Sequence, residues 1–171
     1  VEFRVAASIA QLGLCARLLS PALGAAAAGR ALSVEVAQAR WVPALGGPFR
    51  LSLAEEAIAA GPGTAAAAAL LAGPVTQIVR TVEAMAVSPR VLWGNVASAV
   101  NGAATMIAAA RPDLVGQAAE AAAELLGHPD LAGRVVGSKS FISSPALKDT
   151  VGHGTAVAGE IAAHVHNARG I

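Results

Sequence analysis

The residues of this chain that could do chemistry are few, and most of them lie in two places. The first is a stripe of small and polar side chains, Gly94, Ser98, Asn101 and Thr105, with Trp93 and Asn95 beside it, inside the stretch from Pro89 to Ile107. Hydroxyls and amides three or four residues apart share one helix face, where they either make buried hydrogen bonds or line a ligand cleft. Trp93, Asn95, Ser98 and Asn101 are therefore the candidate ligand-binding residues. The competing reading, which the residue types favour, is a close-packed core helix whose polar groups are all satisfied. The second place is the tail, where His153 stands in Gly152-His-Gly-Thr155 and His164 and His166 are two residues apart. A His-x-His pair chelates a metal from an extended strand; these two end a predicted helix, where alternate residues point apart, so a solvated pair is expected. Asp113, Asp130 and Asp149 fall in turn-like settings that capping explains.

Cys15 is the sole cysteine. One thiol makes no intrachain disulfide and cannot supply a four-cysteine iron–sulfur or zinc site. It sits within a predicted helix with no histidine near it in sequence, so a buried, inert thiol is expected and no metal site is predicted. The net charge of +1, with scattered Lys and Arg and hardly an aromatic between them, gives no footprint for nucleic acid.

The elements that must position these residues are mainly helical. Hydrophobic residues make up 55% of the chain and charged ones 13%, yet aromatics only 3%. The apolar content is thus mostly alanine and valine, which predicts a core of closely packed helices with short side chains. From Phe3 to Leu19, Val5, Ile9, Leu12, Ala16 and Leu19 recur at helical spacing, and Ser20-Pro21 is expected to end the helix, with a short continuation over 22–28. Leu32, Val34 and Val36 alternate with smaller or polar residues, as do the residues of Phe49–Leu53. These patterns predict a small β-hairpin around residues 32–53, with Trp41 as its anchor or, less favoured, as a cleft residue. Helices are predicted over 54–60 and 64–86, the second capped by Thr64 and kinked or broken at Gly73-Pro74. A helix over 89–107 has Ser88 as its cap and Pro89 at its first position, with Leu92, Val96, Ala99, Ala103 and Met106 along one side. Asp113 should cap a further helix over 114–126, closed by Gly127. No internal repeat is visible.

The span 91–110 is uncharged and long enough to cross a bilayer, but Asn95, Ser98, Asn101 and Thr105 weaken that case. A cytoplasmic or peripherally membrane-associated domain is expected ahead of a membrane span. No signal peptide is visible, and the start at valine leaves a longer parent protein open.

Three blocks carry a family resemblance: Arg4-Val-Ala-Ala-Ser-Ile-Ala-Gln-Leu-Gly-Leu-Cys-Ala-Arg-Leu-Leu-Ser-Pro-Ala-Leu23, Arg40-Trp-Val-Pro-Ala-Leu-Gly-Gly-Pro-Phe-Arg-Leu51 and Val87-Ser-Pro-Arg-Val-Leu-Trp-Gly-Asn-Val-Ala-Ser-Ala99. In that order they resemble the siderophore-iron reductases of the FhuF type, helical proteins that reduce ferric siderophores with a [2Fe–2S] cluster. The resemblance covers about residues 3–133 and implies a ferric siderophore as partner. The family's cluster ligands, an adjacent Cys-Cys pair and a later Cys-x-x-Cys, are not in this sequence, so no cofactor is expected on these residues.

The tail carries a different resemblance. Gly152-His-Gly-Thr-Ala-Val-Ala-Gly-Glu-Ile-Ala-Ala163 resembles the histidine segment of subtilisin-like serine peptidases, and His128-Pro-Asp-Leu131 the short motif before it. The resemblance implies that His153 is a general base starting a helix, acting on a peptide substrate. The family's Asp-Thr-Gly and Gly-Thr-Ser motifs are missing, so the catalytic set is incomplete. The sequence thus predicts a mainly α protein: a siderophore-reductase-like helical domain over 1–133 without its cluster, and a subtilase-like segment over 134–171 with a helix from about residue 153. A subtilisin-like endopeptidase fragment and a non-enzymatic helical interaction module are the alternatives.

Overall fold

In a computed structural model, residues 2–34, 39–42, 50–53 and 57–127 are described, and their fold is mainly α. The elements run in the order α1 (Phe3–Ala27), β1 (Arg30–Leu32), β2 (Arg40–Val42), β3 (Arg50–Ser52), β4 (Ile58–Ala60), α2 (Gly63–Leu70), α3 (Thr76–Glu83), α4 (Pro89–Ala110) and α5 (Val115–Leu126). The long α1 is the centre of the bundle: it packs most extensively on α4 and also against α2, α3 and α5.

Helix α1 runs through Pro21 instead of ending at it. An interior proline costs a helix about 3 kcal/mol. Beyond it, however, Ala22, Leu23 and Ala27 enter the same core as Cys15, Leu18 and Leu19. Burying Leu23 alone stabilises by about 2 kcal/mol, and its neighbours supply the rest. The predicted inward residues Val5 and Ile9 are exposed, as is Met106 in α4, so helical spacing placed the stripe but not its ends. α1 stops at Gly29, whose φ of +69° turns the chain into β1.

The β region differs from the single predicted hairpin. β2 and β3 do form an antiparallel pair, with Trp41 opposite Leu51, but β1 pairs with β4, Leu32 opposite Ile58 and Arg30 opposite Ala60. Residues 58–60 are therefore a strand and not part of a helix over 54–60; β-branched Ile58 and the following Gly61-Pro62 favour that outcome. Trp41 does not anchor the hairpin by burial, since it is 65% exposed.

Gly73-Pro74 neither breaks nor sharply ends its helix. Residues Leu71–Val75 widen into a π-turn, which absorbs the proline's missing N–H, and Thr76 Oγ donates to the Leu71 carbonyl at 2.8 Å. The three predicted caps act otherwise than expected. Thr64 lies inside α2, which begins at Gly63, and Ser88 takes the N-cap position of α4 without a side-chain bond to it. Asp113 sits in a 3-10 turn before α5 and pairs with Arg111 at 2.6 Å. That hydrogen bond holds the Asp113 carboxyl below its usual range.

The core is rich in alanine. Ala22, Ala67, Ala99, Ala103, Ala118 and Ala121 are all buried, which lets helix backbones approach closely. By length and composition alone, α1, the 63–83 segment and α4 are apolar enough to cross a membrane. The predicted helix from residue 153, the domain over 134–171, His153, and the His164 and His166 pair lie outside the described residues.

Candidate functional site

Asn95, beside the polar stripe of α4, meets α1. Asn95 Nδ2 donates to Ser8 Oγ at 3.0 Å, to the Ser8 carbonyl at 3.2 Å and to Gln11 Oε1 at 2.8 Å. Gln11, only 1% exposed, donates in turn from Nε2 to the Leu92 carbonyl at 3.2 Å and to Cys15 Sγ at 3.3 Å. Ser8, Gln11 and Cys15 fall at three- and four-residue spacing and so share one face of α1. Leu92 and Asn95 repeat that spacing on α4. The result is a hydrogen-bonded seam that sets the register of the two helices.

Within the seam Cys15 is fully buried, and burial pushes its thiol up to about 12; the Gln11 hydrogen bond lowers it by less. A thiol held protonated across the physiological range is neither a nucleophile nor a ready metal ligand. Among the described residues no group of three His, Cys, Asp or Glu is placed to hold a metal ion.

The remaining candidates divide. Trp93 is buried in the apolar core, and the Asn101 carbonyl accepts from Thr105 Oγ at 3.0 Å within α4. Ser98 Oγ is buried with no hydrogen-bond partner among the described residues. An unsatisfied buried hydroxyl costs about 1 kcal/mol or more. We expect Ser98→Ala to leave the fold unchanged and to raise stability by about 1 kcal/mol, read as a higher urea midpoint with an unchanged m-value; a loss of stability would show that the hydroxyl is satisfied.

The concave surface lies elsewhere. A groove of about 460 Å³ runs between α1, α3 and the β2–β3 pair, with Leu14 and Leu18 on one side, Ile78 and Val82 on another and Leu51 on the third. Its volume is within the range of small-molecule sites. Of its ten lining residues only Gln77 and Thr81 carry polar side chains, and Trp93, Asn95, Ser98 and Asn101 are not among them. A second, shallower concavity meets it at Pro74 of the π-turn and Gln77 of α3, and includes Arg80.

Sequence reasoning did not single out Gln11, Ser8 or the groove. A glutamine amid the apolar residues of α1, four before the cysteine, was the available signal. The groove had none, because it is made by three elements distant in sequence. Among the described residues the electrostatics are correspondingly bland, with no charged side chain fully buried and Gln11 the one buried polar residue. No protein-family model matches the chain, and neither do curated proteins or solved structures.

Proposed function

We propose that residues 3–127 form a siderophore-reductase-like helical domain that binds a ferric siderophore without transferring electrons itself. One observation supports this reading above the others. The first two of the three blocks that resemble the siderophore reductases fall on α1 and on the β2–β3 pair, and both blocks contribute walls to the same groove, Leu14 and Leu18 from one and Leu51 from the other. The third block begins α4, whose seam with α1 holds that helix in register. A ligand in the groove would rest on apolar side chains, with the exposed Gln77 amide at hand for a polar contact, which is the usual balance of a small-molecule site. Electron transfer is left out because the single thiol, Cys15, is protonated and enclosed.

Ferrioxamine B, whose polymethylene segments suit an apolar groove, is the probe. Equilibrium dialysis followed by its iron absorbance should give micromolar binding, and Thr81→Trp, placed at an exposed position in the groove wall, should weaken it at least tenfold. Absence of binding up to millimolar ligand would overturn the proposal.

A further inference from the structure

We propose that the groove between α1, α3 and the β2–β3 pair accepts the acyl chain of a free, single-chain amphiphile, with its anionic head group held at Arg80. The inference uses the groove of the preceding reading but does not need the ligand to carry iron. Three observations lead to it. First, the lining is nearly all aliphatic, and Thr81 already donates its hydroxyl hydrogen to the Gln77 carbonyl at 2.9 Å. The groove therefore offers little hydrogen bonding to a polar ligand and much contact area to methylenes.

Second, the groove is not closed at the α3 end. It meets the shallower concavity at Pro74 and Gln77, and that concavity is half polar in character because it runs out to Arg80 and Thr76. An elongated ligand lying along both would have one apolar end and one polar end. Third, Arg80 is exposed, and among the described residues it makes no ion pair. Glu83 on the same helix is not within ion-pair distance of it. A guanidinium with no carboxylate partner beside an apolar groove is complementary to a carboxylate, sulfate or phosphate on a hydrocarbon chain.

A neutral chain would bind the groove without using Arg80, whereas a dispersed anionic amphiphile places its chain along the aliphatic lining and its head group beside the guanidinium, and so uses both parts together. Because each buried methylene tightens binding by about fourfold, chain length is a direct readout of the apolar part, whatever the head group does.

The test titrates the full chain with octanoate, decanoate and dodecanoate below their micellar concentrations, by calorimetry. The expected result is an affinity that rises about fifteenfold for each two carbons until the groove is filled. Thr81→Trp should abolish binding of all three, with the helical circular dichroism unchanged. Arg80→Gln should weaken decanoate about threefold, an effect that disappears at high salt, and should leave decanol binding as it was. A flat chain-length series, binding that survives Thr81→Trp, or binding only to phosphatidylglycerol vesicles would overturn the proposal. Ferrioxamine B run in parallel separates the two readings. Fatty-acid binding without ferrioxamine binding keeps this inference and removes the siderophore; the reverse result removes this inference alone.

Discussion

Raising the pH from 9 to 12 should cost this fold up to about 4 kcal/mol through Cys15 alone. The thiol would ordinarily lose its proton near 9.0 and in the bundle is held to about 12, chiefly by burial. Each tenfold separation between the two acidities corresponds to about 1.4 kcal/mol. Below pH 9 the thiol is protonated in both the folded and the unfolded chain, so the stabilisation is fully present there. Between 9 and 12 the unfolded chain releases the proton while the folded one keeps it. The folded state then binds more protons, and stability must fall as pH rises. Few other groups titrate in this window: the chain has no tyrosine, and its two lysines, Lys139 and Lys148, are common to the wild type and a Cys15 variant and cancel in their comparison. Urea midpoints at pH 8, 9, 10 and 11 should trace the decline, and Cys15→Ala should flatten it. Parallel slopes for the two proteins would show that the thiol ionises without penalty and so is open to water. The same experiment bears on function, since a thiol that resists ionisation to this degree is a poor nucleophile at neutral pH.

The parts of the fold that were legible in the sequence are those where one local signal dominated. Pro89 at a first helical turn, the apolar residues Leu92, Val96, Ala99 and Ala103, and Gly127 at a helix end gave the start of α4 and both ends of α5 to within a residue, while α4 runs on three residues past the expected 107 to Ala110. Legibility failed where tertiary burial outweighed a local rule. Pro21 is a helix breaker by its own chemistry, but Leu23 and Ala27 beyond it have nowhere better to be buried. Residues 58–60 could have been helix or strand by composition, and only β1, more than twenty residues earlier, decides between them. The candidate site shows the same division. That the polar side chains of this helix would make hydrogen bonds was expected, but Ser8 and Gln11, the partners of half-buried Asn95, lie eighty-odd residues away. The groove walls come from three elements whose proximity no spacing encodes.

Replacing Gly63 by alanine should destabilise the protein by about 3 kcal/mol, although alanine is the better helix former. Gly63 is the first residue of α2, where the helix starts against the last turn of α1 and the beginning of β1. A methyl group there would collide with the Arg30 carbonyl oxygen, with the Ala26 Cα and with the Ala26 methyl. Two of these are backbone atoms and cannot rotate away, so α2 must move off α1. That displacement would pull on Leu70 and Leu71, which fill the core at the other end of α2, and on the β1–β4 pair that holds Arg30. The contrasting substitution is Gly102→Ala in the middle of α4, where a methyl group meets nothing within 4 Å. It should add about 0.5–1 kcal/mol, the ordinary propensity gain of Gly to Ala in a helix. Thermal melts of both variants thus carry opposite signs from one chemical change, with Gly63→Ala lowering the midpoint on the order of 10 °C. If Gly63→Ala instead melted with or above the wild type, the close approach of α1 and α2 would be wrong. With it would fall the placement of α3, the continuation of α2 through the π-turn, as the wall of the groove opposite Leu14 and Leu18.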